Sequence, residues 1–532
     1  MKSRLFIQTL SVSAMMALVA VLITSCTSND DTPVTQMPEP EELADATIIW
    51  YGAGAGNLDG EITTNFRQFY QAKPESYNRV NIVAQYKASA SLFNGLYEED
   101  IEDIKKFEGL TDAEFETAHI YKDDYLYLSH VQPGATYRFV LDPKKTLHRQ
   151  LIETEPYGAH NCDFSCPDSL TNFINWAASN YPAKKYILVL ADHGGGYFPP
   201  EDLPEQATTR GFIYDDGHDK KCFSAQSFAQ ALKNAKVRPE VIVAYLCHMN
   251  DIQFLYEVKD VTDYVVTSTY LIRAEGGAFE AIVNNLANGE DTRTAFSSFV
   301  DACMDSWDAL FFNPENPETP KYYDFTMTDV RQLNNLAPVL KEITDRLVST
   351  YQNGTPEQRA LINQCTADAV RVNSTCPYYD FYKYLQSFFT ELPEVFDQQL
   401  HERFQTAFNA CIVNHRFAKY MSNHNYKVYC SVGLAVKGRF IRLKGDDYGR
   451  WSLVYYPDGV METYKYLGDS NGLNYASLDN YQLTETGTWP STFADTYQQT
   501  AFDKLVGWSR WLLINEAPLT TKCPSSEDSR LP

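Results

Sequence analysis

The chain has 532 residues, of which 44% are hydrophobic and 14% aromatic, and its formal net charge is −24. This hydrophobic content can form a large buried core and excludes global disorder. A strongly acidic chain repels nucleic acid and anionic lipid headgroups, so we expect neither as a partner. The length allows several domains or one long α/β unit with insertions.

The N-terminus has the features of an export signal. A basic start (residues 1–4) is followed by an apolar run over residues 14–23 and shortly afterwards by Cys26. The run is too short for a comfortable transmembrane helix, and a cysteine closely behind it resembles the lipidation site of a bacterial lipoprotein. We therefore expect residues 1–25 to be a signal peptide and Cys26 to anchor the mature chain to the membrane through a lipid. An ordinary cleaved signal is the alternative.

A polar segment separates this signal from the part of the chain that is expected to fold. Residues 26–44 are acidic and contain prolines, which is typical of a tether. The stretch directly after Cys26 resembles the acidic tag of surface lipoproteins of the Bacteroides type. We therefore expect an outer-membrane protein that faces the cell surface or the periplasm.

Five continuous apolar runs predict buried parallel strands. They cover residues 47–51, 80–86, 186–190, 241–246 and 264–268. Runs without polar alternation suit strands that are buried on both faces of a sheet. Between them, residues 169–179 and 224–235 carry apolar side chains at helical spacing. Alternating strands and helices predict an α/β fold with a mostly parallel sheet covered by helices.

The remaining chain predicts additions to this core. Residues 291–420 have a mainly helical pattern, and the Tyr-, Gly- and Asp-rich C-terminal part predicts a small β region that ends in a helix near residues 502–513. We expect residues 45–290 to form the core. Residues 291–532 would then be a helical and small-β region of the same unit.

Candidate catalytic residues follow two of the predicted strands. His193 and three glycines follow the third strand, and Cys247 comes directly after the fourth. Because the carboxyl ends of parallel strands meet at one edge, a thiol and an imidazole come within reach if these strands are neighbours. A thiolate is a nucleophile, and an imidazole can lower the thiol pKa or protonate a leaving amine. The candidate oxyanion donors are the backbone amides of Gly194 and Cys247. A buried structural cysteine and a loop histidine also fit this pattern.

The segment YILVLADHGGGY (186–197) contains His193 and the three glycines. It resembles the histidine segment of the clostripain family of cysteine peptidases, in the clan of caspases, legumain and gingipains, and is the most specific of several similar segments. Looser matches in the same order are IIWYGAGAGNLD (48–59), DSLTNFINW (168–176), GFIYDDG (211–217), YYDFTMTDVRQLNNLAPVL (322–340), PYYDFYKYL (377–385) and AFDKLVGWSRWL (501–512). The resemblance implies a caspase-like α/β/α sandwich with residues 45–290 as its catalytic core.

The resemblance also implies a function. Cys247 would be the nucleophile and His193 its partner in an endopeptidase that acts on proteins or peptides and requires no cofactor. Some relatives respond to calcium, and the acidic surface permits weak Ca²⁺ binding. We expect a monomer. Two other classes stay open: a catalytically impaired surface binding protein on the same scaffold, and an acyl-transfer enzyme that uses the same dyad.

The segment around the cysteine departs from the family pattern. Where the family has Asp-Ala-Cys, positions 245–247 read Tyr-Leu-Cys. The aspartate is associated with a preference for Arg or Lys before the cut, so Tyr245 leaves that preference open. Thr269 and Glu275, after the fifth strand, lie in a segment that also differs and are candidate pocket residues with Tyr245. Acidic residues that could restore a basic-binding pocket are Asp215, Asp216 and Glu275.

Rival residues exist for both catalytic positions. Cys303 stands in an Asp-Ala-Cys triplet, but residues 294–310 have helical apolar spacing, which predicts a core cysteine. His248 adjoins Cys247 in sequence, and neighbouring side chains at a strand end diverge. His218 lies in a polar loop. Asp192 is expected to point to the other side of the strand from His193, so a dyad is predicted rather than a triad.

Two further features are left open by the sequence. Cys162 and Cys166 could form a disulfide or bind a metal, although no second cysteine pair at zinc spacing accompanies them. Arg210 and the Lys220–Lys221 pair lie in polar surroundings between the predicted histidine and cysteine, so self-processing there is a hypothesis.

Overall fold

A computed structural model describes most of the chain beyond residue 42. The described residues are 43–54, 58–87, 105, 111–113, 134–157, 162–196, 211–215, 221–273, 276–319, 321–367, 378–424, 430–433, 438–444, 451–455, 462–463, 482–486 and 497–513. The predicted signal peptide and Cys26 lie outside them.

The strands of the described residues are short. They are β1 (Ala46–Gly52), β2 (Val80–Lys87), β3 (Thr136–Val140), β4 (Tyr186–Ala191), β5 (Phe212–Asp215), β6 (Lys221–Phe223), β7 (Val241–Tyr245), β8 (Tyr264–Thr267), β9 (Asp324–Asp329), β10 (Tyr378–Asp380), β11 (Ile412–Phe417), β12 (Ser431–Gly433), β13 (Gly438–Lys444), β14 (Trp451–Tyr455), β15 (Glu462–Thr463) and β16 (Gln482–Thr486).

Helices connect these strands. They are α1 (Asp59–Arg67), α2 (Leu147–Ile152), α3 (Pro167–Asn180), α4 (Ala225–Asn234), α5 (Ile252–Val258), α6 (Phe279–Ala287), α7 (Thr292–Phe311), α8 (Leu333–Asn353), α9 (Pro356–Ala367), α10 (Phe381–Glu391), α11 (Gln398–Cys411), α12 (Lys419–Asn423), α13 (Ala501–Val506) and α14 (Ser509–Leu513). Within the described residues, no helix combines the length and the apolar character needed to cross a membrane.

The main sheet has eight strands in the order β11-β9-β8-β7-β4-β1-β2-β3. Its five inner strands, β2, β1, β4, β7 and β8, are parallel to one another. The outer strands β3, β9 and β11 run antiparallel to their neighbours. The five parallel strands are those predicted from the apolar runs, so the predicted α/β class is confirmed.

Helices cover both faces of this sheet, as successive residues of β1 show. The Trp50 ring packs against Phe66 of α1 and Phe279 of α6, at centroid distances of 5.4 and 5.3 Å. The next residue, Tyr51, packs instead against Phe173 of α3 at 6.1 Å. Because neighbouring strand residues point to opposite faces, α1 and α6 lie on one side of the sheet and α3 on the other.

The two predicted crossover helices are confirmed. In α3, Leu170, Phe173, Ile174 and Ala177 form the buried face, and Pro167 occupies the first turn, where a missing N–H costs nothing. Helix α4 begins after Ser224, whose hydroxyl accepts from the N–H of Ser227 in a capping box.

The C-terminal part contributes to the main sheet and adds smaller elements. Strands β9 and β11 extend the main sheet, and β13–β16 form a separate four-stranded antiparallel sheet. The helix predicted near residues 502–513 is two short helices, α13 and α14. They are divided at Gly507, whose φ of 70° is left-handed and ends α13.

Candidate active site

The two predicted catalytic residues follow neighbouring strands at the same edge of the sheet. Strands β4 and β7 are paired in parallel, and their last register partners are Ala191 and Tyr245. His193 and Cys247 each lie two residues beyond this pair, so they occupy equivalent positions past the strand ends. Both side chains are partly exposed rather than buried.

Gly194 is packed directly against the backbone of Cys247. A Cβ atom at position 194 would lie 2.8 Å from the Cys247 nitrogen and would collide with the Cys247 carbonyl oxygen. Backbone atoms cannot swing aside as a flexible side chain can, so only glycine fits here. The structure therefore brings the predicted oxyanion residues, Gly194 and Cys247, together.

Strand β5 holds the loop that carries His193. The N–H of Ile213 donates to the carbonyl of His193 at 3.2 Å, and Phe212 forms an antiparallel bridge with Gly194. The N–H of Tyr214 donates to the Asp192 carboxylate at 2.5 Å. Asp192 thus uses a carboxylate oxygen to hold β5.

Strand β5 is fixed in turn by a buried ion pair. The Lys87 ammonium lies 2.6 and 2.7 Å from the two carboxylate oxygens of Asp215, and the two side chains are only 3% and 0% exposed. The N–H of Phe164 also donates to Asp215 at 2.8 Å. Because its carboxylate is buried and paired, Asp215 is not available to restore a basic-binding pocket, and that hypothesis is wrong for this residue.

His248 is turned towards the loop after β8. Its φ is 58°, in the left-handed region. Its backbone N–H donates to the carbonyl of Tyr270, and Nδ1 of its ring lies 3.0 Å from the carbonyl of Thr269. A carbonyl only accepts, so Nδ1 carries the proton in this contact. With 5% of its surface exposed, His248 contributes to the support of the loop. The other rival, His218, lies outside the described residues.

Tyr245 is buried rather than open to the site. Its side chain is 3% exposed, and its hydroxyl donates to the carbonyl of Arg273 at 2.7 Å. Its ring packs among Phe279, Trp307 and Phe325. Where the family pattern has a carboxylate, this chain has an aromatic ring in a filled cluster.

Of the other candidate pocket residues, Thr269 lies in the described part of the chain and two more do not. Thr269 is fully buried, its N–H donates to Asp324, and its hydroxyl accepts from the side-chain amide of Asn250. Glu275 and Asp216 lie outside the described residues.

Cys303 lies in the core, as its helical spacing predicts. It stands in the middle of α7, is fully buried, and its thiol donates to the carbonyl of Gly277 at 2.7 Å. Burial raises its pKa well above the ordinary value of a thiol, which disfavours the thiolate a nucleophile needs.

Cys162 and Cys166 are not joined by a disulfide. Burial raises the pKa of the Cys162 thiol. Across the part of the chain that the structure describes, no cluster of three or more His, Cys, Asp or Glu side chains is arranged to hold a metal ion.

Two pairs of residues that hold the site in place could not be recognised as pairs from the sequence. Lys87 and Asp215 are 128 residues apart, and Asp324 and its histidine partner His415 are 91 residues apart. No local spacing pattern links such pairs. A charged residue at the end of a continuous apolar run, as Lys87 is in β2, is a signal that could have been noticed.

Together, the fold and the site define an α/β protein with a cysteine and a histidine at the carboxyl edge of its parallel strands. The chain belongs to the clostripain family of cysteine peptidases, whose model matches residues 140–501. Over 269 residues it is 23% identical to clostripain from Hathewaya histolytica, a match that covers 49% of this chain and 45% of that protein. The matched part thus spans less than half of that relative's length.

Two solved structures are also similar. One is a secreted C11 cysteine protease from Bacteroides thetaiotaomicron named iotapain, with 17% identity, a TM-score of 0.48 and coverage of 71% of this chain and 87% of that one. The other is an inactive zymogen of a C11 protease from Parabacteroides distasonis, with 14% identity, a TM-score of 0.48 and coverage of 88% and 99%.

Proposed function

We propose that this protein is a cysteine endopeptidase that hydrolyses peptide bonds with Cys247 as nucleophile and His193 as proton donor. The observation that carries the proposal is the register of β4 and β7, which puts both residues at equivalent positions beyond paired strands. Membership of the clostripain family supports the same assignment.

The reaction follows from these groups. The Cys247 thiolate attacks the carbonyl carbon of the scissile bond, and the N–H groups of Gly194 and Cys247 hold the oxyanion that forms. His193 donates a proton to the amine as the C–N bond breaks and a thioester forms. Water then attacks the thioester with His193 accepting its proton, so the acid product leaves and the thiolate returns. No step needs a cofactor.

We also propose that position 245 does not select the residue before the cut through an ion pair. The support is that Tyr245 is buried, has its hydroxyl bound to the Arg273 carbonyl and fills an aromatic cluster. A tyrosine phenol, whose ordinary pKa is about 10, carries no negative charge at neutral pH. Position 245 therefore gives an Arg or Lys side chain no ion-pair partner.

We also propose that the mature chain is anchored through a lipid on Cys26 at the cell surface or in the periplasm. The support is the order of basic, apolar and small residues that precedes Cys26. Labelling with an alkyne-tagged fatty acid tests this, with Cys26→Ser as the control. Equal labelling of parent and variant, or none of either, would contradict the anchor.

The activity is tested by incubating the purified mature chain with a mixed peptide library under reducing conditions, with and without Ca²⁺. Cys247→Ala is the test variant, and Cys303→Ala is the control for loss of a thiol elsewhere. Mass spectrometry of the products gives the cut sites.

Cleavage by the parent and by Cys303→Ala, but not by Cys247→Ala, is the expected result. Cleavage by Cys247→Ala would move the nucleophile elsewhere. No cleavage by a folded parent, once clipping at Arg210 or Lys220–Lys221 has been supplied, would favour the impaired binding scaffold. An added amine that appears in the products would indicate acyl transfer.

A further inference from the structure

A buried carboxylate lies beneath the loop that follows β8. Asp324, the first residue of β9, is fully buried. Its Oδ1 accepts from the Ser268 hydroxyl and the Thr269 N–H, both at 2.8 Å, and from the Tyr270 N–H at 3.1 Å. One carboxylate oxygen therefore orients three consecutive residues.

The second oxygen of Asp324 is also engaged. Oδ2 lies 3.2 Å from Nε2 of His415 on β11, whose side chain is 3% exposed. Both oxygens therefore have partners from the protein, which is the condition under which a buried carboxylate is tolerated. Oδ2 thus connects the carboxylate to β11 of the sheet, and Oδ1 binds the loop.

The same loop is hydrogen-bonded to the chain directly after Cys247. The carbonyl of Tyr270 accepts from the His248 N–H at 3.0 Å, and the carbonyl of Thr269 accepts from the His248 ring at 3.0 Å. Two residues further on, the Asn250 N–H donates to the Ser268 carbonyl at 3.0 Å. Each residue that Asp324 orients thus contacts the segment that starts at Cys247.

The backbone conformation of His248 depends on these hydrogen bonds. His248 has a left-handed φ of 58°, which costs free energy for a residue with a side chain and persists only where the surroundings impose it. A turn held in this way sets the direction in which the preceding residue projects.

We propose that Asp324 is a positioning residue for the nucleophile, acting on Cys247 through the loop of Ser268, Thr269 and Tyr270. The proposal rests on the proposed function of Cys247. Removing the charge weakens three hydrogen bonds to the loop, lets the turn at His248 relax, and moves the thiol away from the position required for attack. A small displacement is enough, because misplacing a reacting atom by about 1 Å can cost on the order of a hundredfold in rate.

The test compares Asp324→Asn with Asp329→Asn. Asp329 is a matched control, because it is the last residue of the same strand, is 3% exposed, and uses its carboxylate to bind Arg331 rather than the loop. Ser268→Ala is a milder variant that removes one of the contacts to Asp324. For each protein, the melting temperature, kcat and KM on a cleaved peptide, and the rate of Cys247 alkylation by iodoacetamide are measured.

We expect Asp324→Asn to lower kcat by roughly tenfold to a hundredfold with little change in KM, and to slow alkylation of Cys247. Ser268→Ala should shift kcat and alkylation in the same direction by less. Asp329→Asn should lower the melting temperature without changing either quantity.

A folded Asp324→Asn protein with the parent's kcat and alkylation rate would overturn the inference. If Asp324→Asn does not fold, parent-like values for Ser268→Ala would do so. Alkylation needs no peptidase activity, so the two hypotheses can fail separately. A parent that cleaves nothing contradicts the proposed function, while the alkylation rates still decide the role of Asp324.

Discussion

His193 and Cys247 occupy equivalent positions beyond two hydrogen-bonded parallel strands, because the last register pair of β4 and β7 is Ala191 with Tyr245. The site is therefore a property of the sheet register. A slip of one residue between these strands would turn every side chain to the opposite face and separate the two groups.

The contact between Gly194 and Cys247 predicts a large effect of one methyl group. In Gly194→Ala the new Cβ would meet the Cys247 backbone, so the histidine loop and the nucleophile must move apart. We expect kcat to fall on the order of a hundredfold. Steady-state kinetics on a cleaved peptide checks this.

Gly289→Ala is the control for this substitution. Gly289 has a φ of 82° and open space around its Cα, so alanine there is strained but meets nothing. It should cost roughly 1–2 kcal/mol of stability without affecting kcat. Equal kcat for Gly194→Ala and the parent would contradict close packing at the site.

The ion pair of Lys87 and Asp215 predicts a non-additive effect on stability. Lys87→Met leaves a buried carboxylate without its cation and should lower the free energy of unfolding by about 3–5 kcal/mol. Adding Asp215→Asn removes the charge and keeps an acceptor for the Phe164 N–H, so the double variant should recover much of that loss. Urea unfolding measures all of these values.

The exposed pair of Lys341 and Asp345 is the matched control, with side chains 54% and 43% exposed. Lys341→Met should cost less than about 1 kcal/mol. Because β5 holds the His193 loop, Lys87→Met should also lower kcat, and the double variant should restore part of it. Strictly additive stabilities would show that the two groups do not interact.

The predictable part of the fold is the part whose pattern is local. The five parallel strands are continuous apolar runs, and α3 and α4 carry their buried residues at helical spacing. Both candidate residues could be placed at one edge of the sheet because each of them follows such a run. Gly507 shows the limit, since its left-handed φ divides a helix that periodicity alone predicts as one.

The complete burial of strand β9 could not be predicted, for a physical reason. All six residues of Asp324–Asp329 are buried, yet four of them are aspartates or threonines. They are tolerated because distant partners satisfy them, as His415 and the loop after β8 do for Asp324. Burial of this kind depends on pairings that no sequence spacing encodes.

The hydroxyl of Tyr245 predicts a separable effect on substrate binding. Tyr245→Phe keeps the ring in its cluster but removes the hydrogen bond to the Arg273 carbonyl. We expect a loss of about 1 kcal/mol in stability. KM should also rise, because Arg273 lies between Thr269 and Glu275, in the segment after β8 that is predicted to contribute to the substrate pocket. Unfolding curves and kinetics on the same peptide measure both effects.

Tyr256→Phe serves as the comparison, because the buried Tyr256 hydroxyl donates to the Leu333 carbonyl at 3.0 Å, in a different part of the fold. It should cost similar stability and leave KM unchanged. An equal change of KM in both variants would assign the effect to general destabilisation rather than to the segment after β8.

Asp380 predicts a pH dependence of stability. Burial raises the pKa of this carboxyl to about 7, whereas an unfolded aspartate titrates near 3.9. Because the folded pKa is the higher one, the carboxyl favours folding below about pH 4, and this contribution is lost as the pH rises towards 7. Above pH 7 the folded protein holds a buried charge whose Oδ2 lies 3.9 Å from the Lys383 ammonium.

Asp380→Asn isolates this effect, because Asp380 caps α10 by accepting from the Lys383 N–H, and asparagine caps helices equally well. Since a pKa difference of one corresponds to about 1.4 kcal/mol, we expect the variant to be more stable than the parent by roughly 1–3 kcal/mol at pH 8. The advantage should shrink steadily as the pH falls towards 5. Urea unfolding of both proteins between pH 5 and pH 8 measures the difference directly. A difference that stays constant over this range would show that Asp380 does not titrate there, and that the substitution acts through packing alone.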